Sequence, residues 1–384
     1  MTACRAPVTT SSEGTPTPTP TAGPASAAPT SGPTPTPTGQ SVVGSVTCPG
    51  APGPAMAVIA DRFLYDVTDP VHPRLVCRSA NTLIHLLNGN AIAFTSVANG
   101  ETNVIRHDLS TGAESQVARL PADPLANPVG AYAAWTSDGQ LEAFATSSAP
   151  DASGRFQLQL HLWSNGADHV LSTIDRGSMG FESRWSPFGV VEFSPDHAYV
   201  AFSPVLDSMR IFSVADHRQV FAAATRAVGG TWIANDRFVW AVDQDLSKPS
   251  GVIQWTPATG ATVLRPDYWY APTSSLDGAW LAATEPFRLS NQSDTSYPRV
   301  VIVSVGGTKV FEAGRGSAPG FVTPTVVWYA EEGSCAQSCI SPTAPNGTIH
   351  AFDVTKGTDQ TFHFRAGEEP IADGINFCCF TGAG

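Results

Sequence analysis

The chain has 384 residues, a charged fraction of 14 % and a formal net charge of −12. That balance argues against strong binding to nucleic acid or to an anionic membrane surface, because both call for a basic face. No apolar run reaches the roughly 18 residues of a membrane-spanning helix, so none is expected.

Residues 1–47 read as a disordered tether. They are dominated by Thr, Pro, Ser, Gly and Ala, with Thr-Pro repeats at 15–20 and 33–38. Such a stretch has too little apolar surface to offset chain entropy by burial, so it stays extended and solvated. Cys4 stands alone ahead of it.

Residues 48–384 read as one domain of short strands. Its clearest repeat is a hairpin in which an apolar strand, a Gly/Asn/Asp turn and a second strand follow one another. The pairs are 62–67 with 74–77, 103–109 with 115–120, 157–163 with 169–174, 209–214 with 219–224, 251–255 with 262–264, 299–305 with 309–312, and 348–354 with 360–364. Glycine at turns such as Ser110-Thr111-Gly112 and Lys356-Gly357 supplies the positive φ that these connections need. A third strand precedes each of the last six hairpins, at 91–94, 141–145, 199–202, 238–242, 280–283 and 326–329. A candidate innermost strand, such as 129–135 or 190–193, precedes each of those. Four antiparallel strands repeated about seven times predict an all-β, seven-bladed β-propeller, with six or eight blades as the alternatives.

The first hairpin has only 56–60 ahead of it, and strand character returns at 371–380. Ring closure by the C-terminal strand is the economical reading. The six cysteines of this domain are Cys48, Cys77, Cys335, Cys339, Cys378 and Cys379, and an even set in a loop-rich β protein favours disulfides and an oxidising compartment. Cys335 and Cys339 are close enough to close a small loop. Cys378 and Cys379 are expected to reach Cys48 and Cys77, in keeping with ring closure.

The stretch Ser194-Pro195-Asp196-His197, followed by Tyr199-Val200-Ala201-Phe202, has partial copies at Ser137-Asp138-Gly139 and at Ser275-Leu276-Asp277-Gly278. This pattern resembles the repeat of TolB-type and WD-like propellers, with His197 in place of the usual glycine. The resemblance implies the fold and is nearly silent on activity. That group includes periplasmic interaction proteins and the propeller domains of prolyl peptidases, whose separate hydrolase domain has no room here. Thr2-Ala3-Cys4 resembles the start of a mature bacterial lipoprotein, which implies a lipid on Cys4.

No nucleophile elbow, HExxH, P-loop or EF-hand loop occurs, and no catalytic residue, metal site or cofactor is predicted. Asp243-Gln244-Asp245 reads as a polar loop, and His107, His161, His350 and His363 read as strand residues. The long connections, at 148–155, 244–250, 286–298 and 331–346, share one face with the connections between blades at 175–184 and 265–270. Long loops commonly carry recognition. The ligand candidates on that face are Arg176, Glu182, Arg184, Trp185, Asp267, Tyr268, Trp269, Tyr270, Arg288, Asp294, Tyr297, Glu331 and Glu332. Aromatics flanked by Asp and Arg suit a sugar or a peptide.

The expected function is non-enzymatic binding or scaffolding by a monomer outside the cytoplasm. The protein would be secreted, periplasmic or at a bacterial cell surface, with a protein, peptide or glycan as ligand. Its membrane contact would run only through a lipid on Cys4. The alternative is a propeller-fold glycan lyase or hydrolase with its site at the channel mouth, which would require carboxylates about 5–9.5 Å apart.

Overall fold

The computed structural model describes residues 46–48, 56–60, 63–79, 84–87, 91–98, 101–121, 133–136, 140–147, 151–153, 155–164, 167–176, 190–204, 207–242, 251–267, 269–285, 299–331, 348–365 and 377–382. All lie in the unit Gln40–Gly384. Cys4, Cys335, Cys339 and the 243–245 loop fall outside the described residues.

Among the described residues there is no helix. The strands run in chain order from β1 (Val46–Thr47), β2 (Met56–Ala60), β3 (Phe63–Asp66) and β4 (Arg74–Ser79) to β5 (Ile84–Leu87), β6 (Ala91–Ala98), β7 (Glu101–Asp108) and β8 (Glu114–Pro121). Then come β9 (Ala133–Trp135), β10 (Leu141–Ser147), β11 (Phe156–Ser164), β12 (Ala167–Arg176), β13 (Val190–Phe193), β14 (Tyr199–Ser203), β15 (Ser208–Ser213) and β16 (Arg218–Ala234). They continue with β17 (Arg237–Val242), β18 (Val252–Thr256), β19 (Gly260–Arg265), β20 (Tyr270–Ser274), β21 (Trp280–Glu285), β22 (Arg299–Ser304) and β23 (Val310–Arg315). The last are β24 (Ser317–Phe321), β25 (Val326–Ala330), β26 (Thr348–Asp353), β27 (Thr358–His363) and β28 (Phe377–Gly382).

Strands β5–β8, β9–β12, β20–β23 and β24–β27 each form a four-stranded sheet whose neighbours in sequence are neighbours in space. Strands β13–β19 form a seven-stranded sheet, and the first sheet has the order β1-β4-β3-β2-β28. All the pairings are antiparallel, as consecutive hairpins dictate. The third strands predicted from sequence are β6, β10, β14, β17, β21 and β25.

The seven-stranded sheet was not legible in the sequence. It arises because β16 runs unbroken for 17 residues, pairing with β15 in its first part and with β17 in its second. The changeover falls between Arg226 and Ala227, and the ladder to β17 then shifts register between Ala227 and Gly230, where Gly229 has a φ of 84° that is open to glycine. A Cβ on Gly229 would stand 2.6 Å from the Ala271 Cα, so the close approach of β16 and β20 also requires a residue without one.

Burial follows strand position. Strand β25 is buried throughout and β14, β17 and β21 nearly so, because these interior strands pack against side chains of other strands on both faces. Such strands read as continuous apolar runs rather than alternating ones. Strands β19 and β27 are largely exposed edges.

Sheet-to-sheet packing joins the start of the domain to its end. Phe63, Tyr65 and Val67 pack with Val322, Trp328, Ile349 and Phe362 in one buried cluster. The Trp328 Nε1–H donates to the Pro70 carbonyl at 2.9 Å. Trp328→Phe removes that donor and leaves a smaller ring in a fully buried site. It should lower stability by about 2 kcal/mol, read as a shift in the urea midpoint at constant slope.

One expectation about the cysteines is overturned. Cys48 is bonded to Cys77, not to Cys378 or Cys379. The reason is register: β1 pairs antiparallel with β4, Val46 opposite Ser79 and Thr47 opposite Arg78, so the next residue, Cys48, faces Cys77 at a Cα–Cα distance of 4.0 Å. Directly opposed residues in a narrow antiparallel pair approach to about this distance.

Candidate functional site at the long-connection ends

In an antiparallel four-stranded sheet, the connection between the second and third strands leaves from the same end as the chain's departure to the next sheet. The opposite ends carry the short turns, which are built for rigidity. In one, the Ser194 Oγ–H donates to Asp196 Oδ1 at 2.7 Å while Oγ accepts the Tyr199 N–H at 2.9 Å, and the Asp196 carboxylate accepts the Ala198 N–H at 3.1 Å. The Ser275-Leu276-Asp277-Gly278 turn repeats each contact, with Ser275 to Asp277 at 2.6 Å, Ala279 N–H to Asp277 at 3.0 Å and Trp280 N–H to Ser275 at 3.0 Å.

The turns between third and fourth strands use a carboxylate in the same way. Asp108 Oδ1 accepts from the hydroxyls and N–H groups of Ser110 and Thr111, which hold its carboxyl well below the ordinary range. Burial works to raise the Asp353 carboxyl, but hydrogen bonds from Lys356 and Thr355 outweigh it and set it at about 2.

At the long-connection ends, the predicted residues are distributed unevenly. Glu182, Arg184, Trp185, Tyr268, Arg288, Asp294, Tyr297 and Glu332 lie outside the described residues. Arg176 is the last residue of β12. Glu331 directly follows β25, half-buried, with its N–H donating to the Thr348 carbonyl at 3.0 Å.

Asp267, Trp269 and Tyr270 come together between β19 and β20. The Arg265 Nε–H donates to Asp267 Oδ2 at 2.5 Å, and the same guanidinium lies 5.2 Å from the Trp269 ring centroid. Trp269 itself is 2 % exposed and packs with Val228, Leu281 and Val301, so it is a core side chain rather than the loop-surface aromatic expected. Tyr270 opens β20 opposite Thr284, and Ala271 behind it has a φ of 44°, a conformation costly for a residue with a Cβ.

No protein-family model matches this chain, and no curated protein matches it. Its fold is similar to several solved structures at low identity. An oligogalacturonate lyase in complex with manganese has 14 % identity over 74 % of this chain and 87 % of that one, with a TM-score of 0.48. TolB from Acinetobacter baumannii has 15 % identity over 81 % and 78 %, with a TM-score of 0.41. The C-terminal WD40 domain of Sif2 has 14 % identity over 72 % of each chain, with a TM-score of 0.43. None of these likenesses assigns a role to a residue here.

Three polar groupings escaped the sequence reading. In the first, Arg299 of β22 bridges its two neighbouring strands, Nε to Glu285 Oε2 at 2.5 Å and Nη1 to Glu312 Oε2 at 2.8 Å. The hydrogen bond to Glu285, with the charge of both glutamates, holds the guanidinium even more firmly protonated than usual.

In the second, the fully buried Tyr329 hydroxyl stands 2.7 Å from the Ala313 carbonyl and 3.1 Å from Asp359 Oδ2, which also meets His350 Nδ1 at 2.6 Å. The Tyr329 and His350 rings stack at 4.6 Å. Burial first, then the Asp359 charge, pushes the phenol upward, so it stays neutral and acts as a hydrogen-bonding strut between two sheets.

In the third, Glu192, Thr231 and Ser274 on the first strands of successive four-strand units tie those strands together. Trp232 Nε1 donates to the Glu192 carbonyl at 3.0 Å, Thr231 Oγ1 to Glu192 Oε1 at 3.3 Å, and Ser274 Oγ to the Trp232 carbonyl at 2.7 Å. A sequence signal for these groupings existed only as isolated polar residues within strands.

Proposed function

We propose that this domain is a seven-bladed β-propeller closed by β28, and that it serves as a non-enzymatic binding or scaffolding module outside the cytoplasm. The closed-ring reading is supported by adjacency. The first strands approach one another in a circuit: β28 meets β5, β5 meets β9, β9 meets β13, β13 meets β16, β16 meets β20, β20 meets β24, and β24 meets β28. Counting the two parts of β16 separately turns the seven-stranded sheet into two blades. The Thr/Pro-rich residues ahead of β1 then act as a tether to a lipid on Cys4, and the domain works as a monomer.

The observation that carries the binding reading is a fixed charged grouping at the long-connection ends: the Arg265 Nε–H donates to Asp267 Oδ2 at 2.5 Å, and the half-buried Tyr270 opens β20 three residues on. A held carboxylate beside an aromatic ring suits complementary contacts with a ligand. The Cys48–Cys77 bond supports an oxidising compartment.

The ligand class is a protein, peptide or glycan met at the long-connection ends around Asp267, Tyr270 and Arg299. The test is to incubate full-length protein with arrays of cell-envelope glycans and with peptide libraries. Binding of one class should weaken about tenfold in Asp267→Ala/Tyr270→Ala, close to 1.4 kcal/mol, with no new reducing ends or unsaturated sugars released. Release of such products would favour the lyase or hydrolase instead, and binding unchanged in the double variant would remove the site from this end of the sheets.

A further inference from the structure

The disulfide between β1 and β4 has a neighbour that a purely structural crosslink does not need. His107 of β7 places Nε2 3.7 Å from Cys48 Sγ. Its other nitrogen, Nδ1, stands 3.1 Å from Glu114 Oε1 on β8. An ionised carboxylate can only accept, so Nδ1 carries the proton and Nε2 turns its lone pair toward the sulfur. The imidazole is 12 % exposed and thus held in place. The two sulfurs differ in access: Cys77 is fully buried, whereas Cys48 is half-buried on the outer edge of the sheet. A sulfur, an imidazole and an orienting carboxylate in sequence form the arrangement that activates a thiol nucleophile.

We propose that Cys48–Cys77 is an exchange-active disulfide that reacts with an external dithiol, with Cys48 Sγ as the sulfur attacked and His107, positioned by Glu114, holding the proton at Cys48. In the first step a thiolate of the dithiol attacks Cys48 Sγ. The Cys48–Cys77 bond breaks, its electron pair leaves on the Cys77 sulfur, and that sulfur takes up the proton the first thiol gave to solvent. The second thiol then passes its proton to His107 Nε2, and its thiolate attacks the dithiol's own sulfur in the mixed disulfide. Cys48 leaves as a thiolate and receives that proton from His107. Two electrons and two protons have moved, the dithiol has become a disulfide, and both cysteines are thiols. The reverse sequence lets reduced Cys48 attack a disulfide in a partner, with Cys77 as the resolving thiol.

This inference concerns a different edge of the domain from the ligand ends and stands independently of them. The experiment uses the full-length oxidised protein. Dithiothreitol and glutathione redox buffers are applied between about pH 5.5 and 9, a range spanning thiol ionisation, followed by acid quench, differential alkylation and peptide mapping of Cys48 and Cys77. The bond should open while the tryptophan fluorescence stays native, and monothiol glutathione should be trapped on Cys48. His107→Gln should slow reduction at neutral pH on the order of tenfold and change the shape of the rate–pH profile. Glu114→Gln should do so to a smaller degree, since it acts only through His107. Equal rates for wild type and His107→Gln at every pH, adducts confined to Cys77, or reduction only upon unfolding would each overturn the proposal. The adduct on the wild-type chain needs no variant, so the test survives a substitution that fails to fold.

Discussion

Gly278→Ala should destabilise the protein by roughly 2–4 kcal/mol, measured by urea unfolding. Gly278 closes the short turn into β21 with a φ of 66°, where a Cβ costs about 1 kcal/mol. The larger part is steric. A Cβ there would lie 1.8 Å from the Ile233 carbonyl oxygen in β16, so backbone of a neighbouring strand has to move, and overpacking of that kind adds about 1–3 kcal/mol. The same place in the turn before β14 is held by His197, whose φ is 61°. His197→Gly should therefore have the opposite sign, a gain of about 0.5–1 kcal/mol once the added freedom of the unfolded chain is subtracted. A Gly278→Ala effect below about 1 kcal/mol would mean that the turn does not press against β16.

These two turns also explain what was legible. Ser194–Asp196 and Ser275–Asp277 make the same set of hydrogen bonds because the chemistry is local: a hydroxyl and a carboxylate two residues apart close the turn by themselves. Local chemistry survives in sequence, so strand positions and hairpins could be placed within a few residues. β16 could not, because its continuity depends on Gly229 fitting against Ala271, more than 40 residues away. The partner of Cys48 was missed for a similar reason. Sequence supplies an even set of cysteines, but the pairing depends on the two-residue strand β1 lying beside β4.

The candidate site was legible only as a place. Asp267 and Tyr270 lie at the expected end of the sheets, but Trp269, equally attractive in a string of letters, turns inward. What escaped entirely are groupings assembled across strands. Glu285, Arg299 and Glu312 are separated by 14 and 13 residues and meet because three strands run side by side. The His107 imidazole, a plain strand residue in sequence, acquires its meaning from Glu114 on one side and Cys48, 59 residues away, on the other.

Deleting Phe377–Gly382 should cost about 4–6 kcal/mol and abolish a single cooperative unfolding transition. β28 pairs with the whole of β2, from Met56 opposite Gly382 to Ala60 opposite Phe377. Backbone hydrogen bonds of that ladder contribute about 1 kcal/mol each. In the closed-ring reading the loss goes beyond the ladder, because β28 also lies against both β24 and β5, and its removal leaves the β24–β27 and β5–β8 sheets without the strand that stands between them. Thermal unfolding followed by calorimetry and by tryptophan fluorescence should then give transitions that no longer coincide. Cys378→Ser/Cys379→Ser, which keeps the strand, separates loss of pairing from loss of the cysteines: it should retain one transition, since Cys48 and Cys77 are bonded to each other. If the deletion instead costs less than about 2 kcal/mol and unfolding stays cooperative, β28 is a dispensable edge strand and the ring is held by other contacts, foremost the Trp328–Pro70 hydrogen bond and the cluster of Tyr65, Val67, Val322 and Ile349 around it.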